Sequence, residues 1–219
     1  SCGLEAIAAL NEGIFPRPTS DAKLISATKL AHESCNLVAT SDESAYGLAE
    51  IIVCDINLDL AEDKQSPDVN FEGFEAGIRT IGQNMKPGAL VLIETTVPPG
   101  TCARVVVPAL ANELNCRNED PDSFLLAHSF ERVMPGADYF DSIVNFWRVY
   151  AGHTPEAAIV CRNFLEKVVN TQDFPITELA STTASEITKV MENSYRAVNI
   201  AFIEEWARFA EAVKVDLFE

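Results

Sequence analysis

ALVLIETTVPPGT, residues 89–101, decides the architecture. Its first five residues are all apolar, and that run stands between Lys86-Pro87-Gly88 before and Pro98-Pro99-Gly100 after. A short run that does not alternate reads as a strand covered on both faces, as in a parallel sheet flanked by helices. Outward from it, EIIVCDI (50–56) and SFLLAHS (123–129) repeat the pattern, while LVATS (37–41) reads as a short strand and TQDFPI (171–176) as a weak final one. Helical patterns lie between them. Phe71, Phe74, Ile78 and Ile81 recur at helical spacing behind Asn70, a suitable N-cap. Residues 100–114 read as a second helix, and 155–169 as a third, with Thr154 as N-cap and Pro155 at its first position. DLAEDKQSPDVN (59–70) reads as a polar loop, and LEAIAALNEG (4–13) as a helix with no strand before it. Strands alternating with helices predict a doubly wound α/β domain with a parallel sheet over residues 1–177.

Residues 178–219 form a separate segment. From Thr183 to about Val213 neither Gly nor Pro intervenes, which predicts a helix of roughly 45 Å. Thr183 and Glu186 have the spacing of a capping box. Ile187, Met191, Ser194, Val198, Ala201, Phe202 and Phe209 share one stripe. A helix this long is expected to connect two domains or to build a dimer interface. A Rossmann-like sheet opens with strand, Gly-x-Gly-x-x-Gly and helix; no such stretch occurs here. The expectation is a Rossmann-like doubly wound sheet, truncated at its N-terminus, followed by a long helical connector.

Sixteen Lys and Arg face thirty-three Asp and Glu, a formal net charge of −17. Nothing in that balance favours nucleic acid or an anionic membrane surface. The 47% hydrophobic content suits a folded core. No apolar run is long enough to span a bilayer, and the first residues lack the basic start of a secretory signal. Six widely spaced cysteines, with no Cys-x-x-Cys and no zinc-type spacing, read as reduced thiols of a cytoplasmic protein, with no metal site.

Three stretches carry possible chemistry. In ETTVPPGT (94–101), Thr95 and Thr96 place hydroxyls past a strand's carboxyl end, where open sheets bind ligands. The helix start that follows either faces a phosphate or a nicotinamide ribose, or is an ordinary turn. In HSFERVMPG (128–136), Glu131 either orients a water as a general base or pairs with Arg132 in a loop; His128 reads more simply as a core histidine. In SEITKVMENSYRAVN (185–199), Lys189 and Asn193 are one turn apart. They are either an oxyanion-stabilising pair or a solvated face with a Glu186–Lys189 pairing.

Taken in order, ALNEGIFP, PDVNFEGFEAGIRTIG, LVLIETTVPPGT, FERVMPG and ASEITKVMENSYRAVNIAFIEEWARFAE resemble the nucleotide-sugar dehydrogenase family, which includes the UDP-glucose and UDP-N-acetylmannosamine dehydrogenases. ERVMPG is closer to the branch acting on UDP-N-acetylhexosamines. The resemblance implies oxidation of a sugar's primary alcohol to a carboxylate with two NAD, on a UDP-sugar substrate, by a homodimer joined through the long helix. It implies that Thr96 sits beside the nicotinamide and helps hold a water, that Glu131 orients water and substrate, and that Lys189 stabilises the oxyanion with Asn193 beside it. Cys54, Thr96 and Glu131 are the implied cofactor contacts, although Cys54-Asp55-Ile56-Asn57 replaces the family's Val-Pro-Thr-like stretch. Pro135 stands where the UDP-glucose branch has a second glutamate. The Gly-rich loop would precede Ser1, and the nucleophilic cysteine would follow Glu219, so this chain alone is not expected to complete the reaction. Two alternatives are a single-step dehydrogenase of the 6-phosphogluconate or 3-hydroxyisobutyrate type and a non-catalytic truncated module.

Overall fold

A computed structural model describes residues 3–60, 69–133 and 136–216, and the side chains of all of these except Asp59 and Leu60. Two helices open it, α1 (Leu4–Asn11) and α2 (Ala22–Glu33). Asp21, almost fully buried, caps α2 by accepting from Lys23 and Leu24, and its second oxygen accepts from the Phe140 amide at 2.6 Å. Those amides hold its carboxyl below the usual range, the Phe140 bond most of all.

The central sheet has strands β1 (Ile51–Cys54), β4 (Leu90–Ile93), β5 (Leu125–Ser129), β6 (Val149–Gly152) and β7 (Thr177–Glu178), adjacent in that order. A small antiparallel pair, β2 (Asp59–Leu60) and β3 (Val69–Asn70), stands apart from it. All four residues of β4 are buried. Val91 and Ile93 join the core under helices α3 (Glu72–Asn84) and α4 (Val107–Cys116), with Phe74, Ile78, Ile81 and Leu110. Leu90 and Leu92 pack on the opposite face with Cys161 and Leu165 of helix α6 (Pro155–Val168). Helices on both faces are why β4 is apolar throughout, as expected.

The sheet is mixed, which corrects the expectation of a parallel one. β1, β4 and β5 are parallel, but β6 runs antiparallel to β5, and β7 follows β6. A short helix, α5 (Tyr139–Val144), lies in the β5–β6 connection. Among the described residues LVATS at 37–41 pairs with no strand, and the last strand falls at Thr177–Glu178 rather than 171–176. Asn70 does accept from the Glu72 amide, and Thr154 caps α6 through the Ala157 amide. The helix expected at 100–114 opens with a π turn, Cys102–Val106. Pro108 lies two residues beyond it; it has no N–H, and its ring would strike the Arg104 carbonyl in a tight α-helix, so a widened turn accommodates it.

The long helix is α7 (Thr182–Ala212). Ser181, not Thr183, caps it, accepting from the Ala184 amide. The expected Thr183–Glu186 box does not form, because Glu186 turns inward. Ser185, Glu186 and Lys189 are buried against the sheet, whereas Met191, Val198, Phe202, Trp206 and Phe209 are exposed. No described helix is long and apolar enough to cross a membrane. Cys2, Pro135 and most of the 59–70 loop lie outside the described residues.

Candidate active site

The carboxyl end of β4 splits its two threonines. Thr95 is buried; its hydroxyl donates to the Ile56 carbonyl at 2.8 Å and lies 3.4 Å from that of Cys54, lacing the ends of β4 and β1 together. Thr96 is exposed. The chain turns through Gly100, at φ +87°, where a side chain would be strained and would meet the Arg104 guanidinium. The amides of Gly100 and Cys102 then donate to the two carboxylate oxygens of Glu186, the Cys102 bond being 2.8 Å. Of the two readings of this helix start, an anion site or an ordinary turn, neither foresaw its partner: a side chain from α7 holds those amides.

At the end of β5, His128 Nδ1 pairs with Ser185 Oγ at 2.8 Å. Its Nε2 is buried without a hydrogen-bond partner among the described residues. Burial pulls the imidazole down to about 4, against the opposing charge of Glu186 and the Thr95 backbone. It is a neutral core histidine, as its simpler reading held.

Three residues beyond His128, the main-chain carbonyl of Glu131 accepts from Lys189 Nζ at 2.8 Å, and that ammonium lies 5.2 Å from the Phe130 ring. Burial lowers the ammonium's pKa; the Glu131 and Glu192 carboxylates oppose that, and the Arg132 and Arg196 cations add to it. The Glu131 carboxylate accepts from the Val133 amide. Arg132 is clamped: its Nε reaches both oxygens of Glu192 at 2.8 and 2.9 Å, it donates to the Trp147 carbonyl, and its guanidinium lies 5.0 and 5.5 Å from the Phe130 and Phe146 rings. The looser reading, a Glu131–Arg132 or Glu186–Lys189 pair, therefore gives way to Arg132–Glu192 and Lys189–Glu131.

Glu94 and Arg148 form a buried ion pair beside this rim. Burial raises the Glu94 carboxyl; Arg148 opposes this, while Asp55 and Glu131 add to it. The sequence reading missed this pair and the inward turn of Glu186. Glu186 had one visible signal: it is a charged residue three positions before Lys189 on the same helix. Arg148 had none.

Glu131 and Lys189 are thus in direct contact, and Thr96 lies at the same end of the sheet. Asn193, one turn beyond Lys189, is exposed. The Cys54 thiol lies in the core with Phe74 and Ile78, and burial raises it to about 11; only the Cys54 backbone is at the strand end.

Residues 4–171 match the model of the UDP-glucose/GDP-mannose dehydrogenase family's NAD-binding domain, and residues 183–219 that of its central domain. The chain belongs to the UDP-glucose/GDP-mannose dehydrogenase family. It is 34% identical over 177 residues to UDP-N-acetyl-D-mannosamine dehydrogenase of Pyrococcus horikoshii, which covers 81% of this chain and 39% of that protein. It is 32% identical over 138 residues to UDP-N-acetyl-D-glucosamine 6-dehydrogenase of Pseudomonas aeruginosa, covering 63% and 31%. The solved structure of the Pyrococcus horikoshii UDP-D-ManNAc dehydrogenase superimposes with a TM-score of 0.83 at 28% identity, over 98% of this chain and 48% of that one. The chain therefore spans less than half the length of these relatives. NAD is the cofactor of the family domain that it carries. Its residues fit only part of a dinucleotide: Thr96 and Glu131 edge the strand ends, whereas the helix start at Thr101 is closed to a diphosphate by Glu186.

Proposed function

We propose that this chain belongs to a UDP-N-acetylhexosamine 6-dehydrogenase, which oxidises the sugar's primary alcohol to a carboxylate in two hydride transfers. The observation that carries the reading is the buried Lys189 ammonium seated on the Glu131 carbonyl at 2.8 Å, at the strand ends where open α/β sheets hold ligands. The names of the two relatives support the sugar class.

NAD, when bound, would supply the acceptor for the hydride leaving the alcohol carbon. Lys189 supplies positive charge to the oxygen that becomes an alkoxide, in a poorly hydrated position where such charge acts strongly. Its lowered affinity for protons also suits it to exchange a proton with that oxygen. Glu131 orients water and substrate through the carboxylate oxygen not held by Val133. Thr96 offers a hydroxyl to the water or the nicotinamide, and Asn193 an amide beside Lys189. Cys54 contributes to the cofactor site through its backbone alone. Residues 1–177 act as the cofactor unit and 178–219 as the start of the next. A second copy of the chain covers the exposed stripe of α7, and the enzyme works in the cytoplasm.

The test is NADH formation by the whole protein with UDP-N-acetylmannosamine, UDP-N-acetylglucosamine and UDP-glucose. Two NADH per sugar with an acetamido sugar supports the reading. One NADH per substrate would make it a single-step dehydrogenase, and none with any UDP-sugar would end the proposal.

A further inference from the structure

Glu186 is a fully buried carboxylate on α7 that no part of the proposed reaction uses. Burying a carboxylate is costly unless each oxygen is matched. Here one oxygen takes the Gly100 amide and the other the Cys102 amide, at the start of the helix that follows the Thr95–Thr96 turn. An N-terminal helix end favours negative charge, so the contact is electrostatically matched as well as hydrogen-bonded. It is also long-range, joining residues more than eighty positions apart.

Its location gives it a second consequence. Thr96 lies four residues before Gly100, and Lys189 three residues after Glu186. The helix-start amides and the first turns of α7 are therefore locked into one frame, with Thr96 on one side and Lys189 on the other. Ser185, adjacent to Glu186, holds the same turn of α7 to His128 at the end of β5. Lys189 then meets the Glu131 carbonyl on the loop that leaves β5. The three contacts come from successive inward-facing positions of α7, at 185, 186 and 189, as helical spacing requires.

We propose that Glu186 is a positioning residue: by clamping the Gly100–Cys102 helix start to α7, it sets where the Lys189 ammonium stands relative to Thr96. It touches neither substrate nor cofactor in this scheme. Its benefit to turnover rests on the dehydrogenase reading above, but its effect on Lys189 does not.

The experiment uses the whole protein with Glu186→Gln, which keeps the shape but offers one acceptor oxygen for two amides, and with Glu186→Asp, which keeps the charge. The pH dependence of reductive methylation at Lys189 is followed by peptide mass spectrometry, alongside kcat, KM and thermal unfolding. Glu113→Gln, at a carboxylate bound by Arg79 and Gln83 far along α4, is the control. The expected result is a Lys189 methylation profile displaced in Glu186→Gln and partly restored in Glu186→Asp, and unchanged in Glu113→Gln. With it, kcat falls about 10- to 100-fold while KM changes little, the scale for a misplaced group. Lower melting temperature with an unmoved Lys189 profile would make Glu186 a structural cap and overturn the proposal. If Glu186→Gln does not fold, Glu186→Asp decides by the same profile. If the wild type oxidises no UDP-sugar, the reaction assignment fails while the methylation profiles still decide the positioning role.

Discussion

Lys189 binds the main-chain carbonyl of Glu131 rather than its carboxylate. The carbonyl seats the ammonium without neutralising it, and the Glu131 carboxylate is held instead by the Val133 amide. The cation and the acid are thus neighbours with separate partners. Lys189→Ala in the whole protein is expected to lower kcat by about 10²- to 10³-fold with a small change in KM, since the charge matters most when the oxygen becomes anionic. Equal losses in turnover and in sugar binding, measured by steady-state kinetics, would remove the oxyanion role.

His128 gives a stability signature in mild acid. Its folded pKa of about 4 lies below the 6.5 of an exposed imidazole, so between those values the unfolded chain binds a proton that the folded one refuses. Stability therefore falls as pH drops from 6.5 towards 4, by about 3 kcal/mol in total. Urea unfolding of the wild type across that window should show the loss, and His128→Gln should be flatter. Asp21 has its carboxyl lowered below 3.8, so its contribution, present above that value, is lost only at more acid pH.

Gly152 and Gly73 should respond oppositely to alanine. A Cβ at Gly152 would press on the Ala158 backbone and come within 2.5 Å of the Thr154 carbonyl, while one at Gly73 meets nothing. Gly152→Ala is expected to cost about 1–3 kcal/mol as overpacking against the start of α6. Gly73→Ala, in the first turn of α3, is expected to stabilise by about 0.5–1 kcal/mol. Denaturant midpoints of the two variants check the signs.

The buried thiols should be inert. Burial raises Cys54 to about 11, Cys161 to about 12 and Cys102 well above the ordinary thiol range. Cys35 and Cys116 are exposed. Among the five described cysteines, native labelling with iodoacetamide at about pH 8 should modify Cys35 and Cys116 and spare Cys54, Cys102 and Cys161, because the thiolate is the reactive form. Rapid labelling of Cys102 would show that the seat beside Glu186 opens readily.

The apolar strands and the long helix were legible because burial on two faces and an uninterrupted helical pattern are local features. Val149–Gly152 was not, since a four-residue strand leaves little pattern and its direction depends on its partner. LVATS looked like a strand but found no partner, and strand propensity alone does not make a ladder. Glu131 and Lys189 were singled out by their motifs, and the fold sets them in contact. The destination of Glu186 was not: three residues after a threonine it imitates a local cap, and only the approach of the Gly100 turn redirects it. The same holds for Arg148, which finds Glu94 from a distant segment.

The reversal of β6 has a geometric consequence for how such a rim can evolve. A parallel successor to β5 would have carried the chain back beneath the sheet, spending the connection on the far end. Because β6 starts level with where β5 stops, with Ser129 opposite Tyr150, the chain leaves at Phe130 and returns at Arg148 on the same edge, the carboxyl end of β4 and β5. One excursion therefore delivers Glu131, Arg132, Trp147 and Arg148 to the same end of the sheet. A change in its length would leave the crossovers of the sheet undisturbed, so this edge and the strands beneath it are structurally separable.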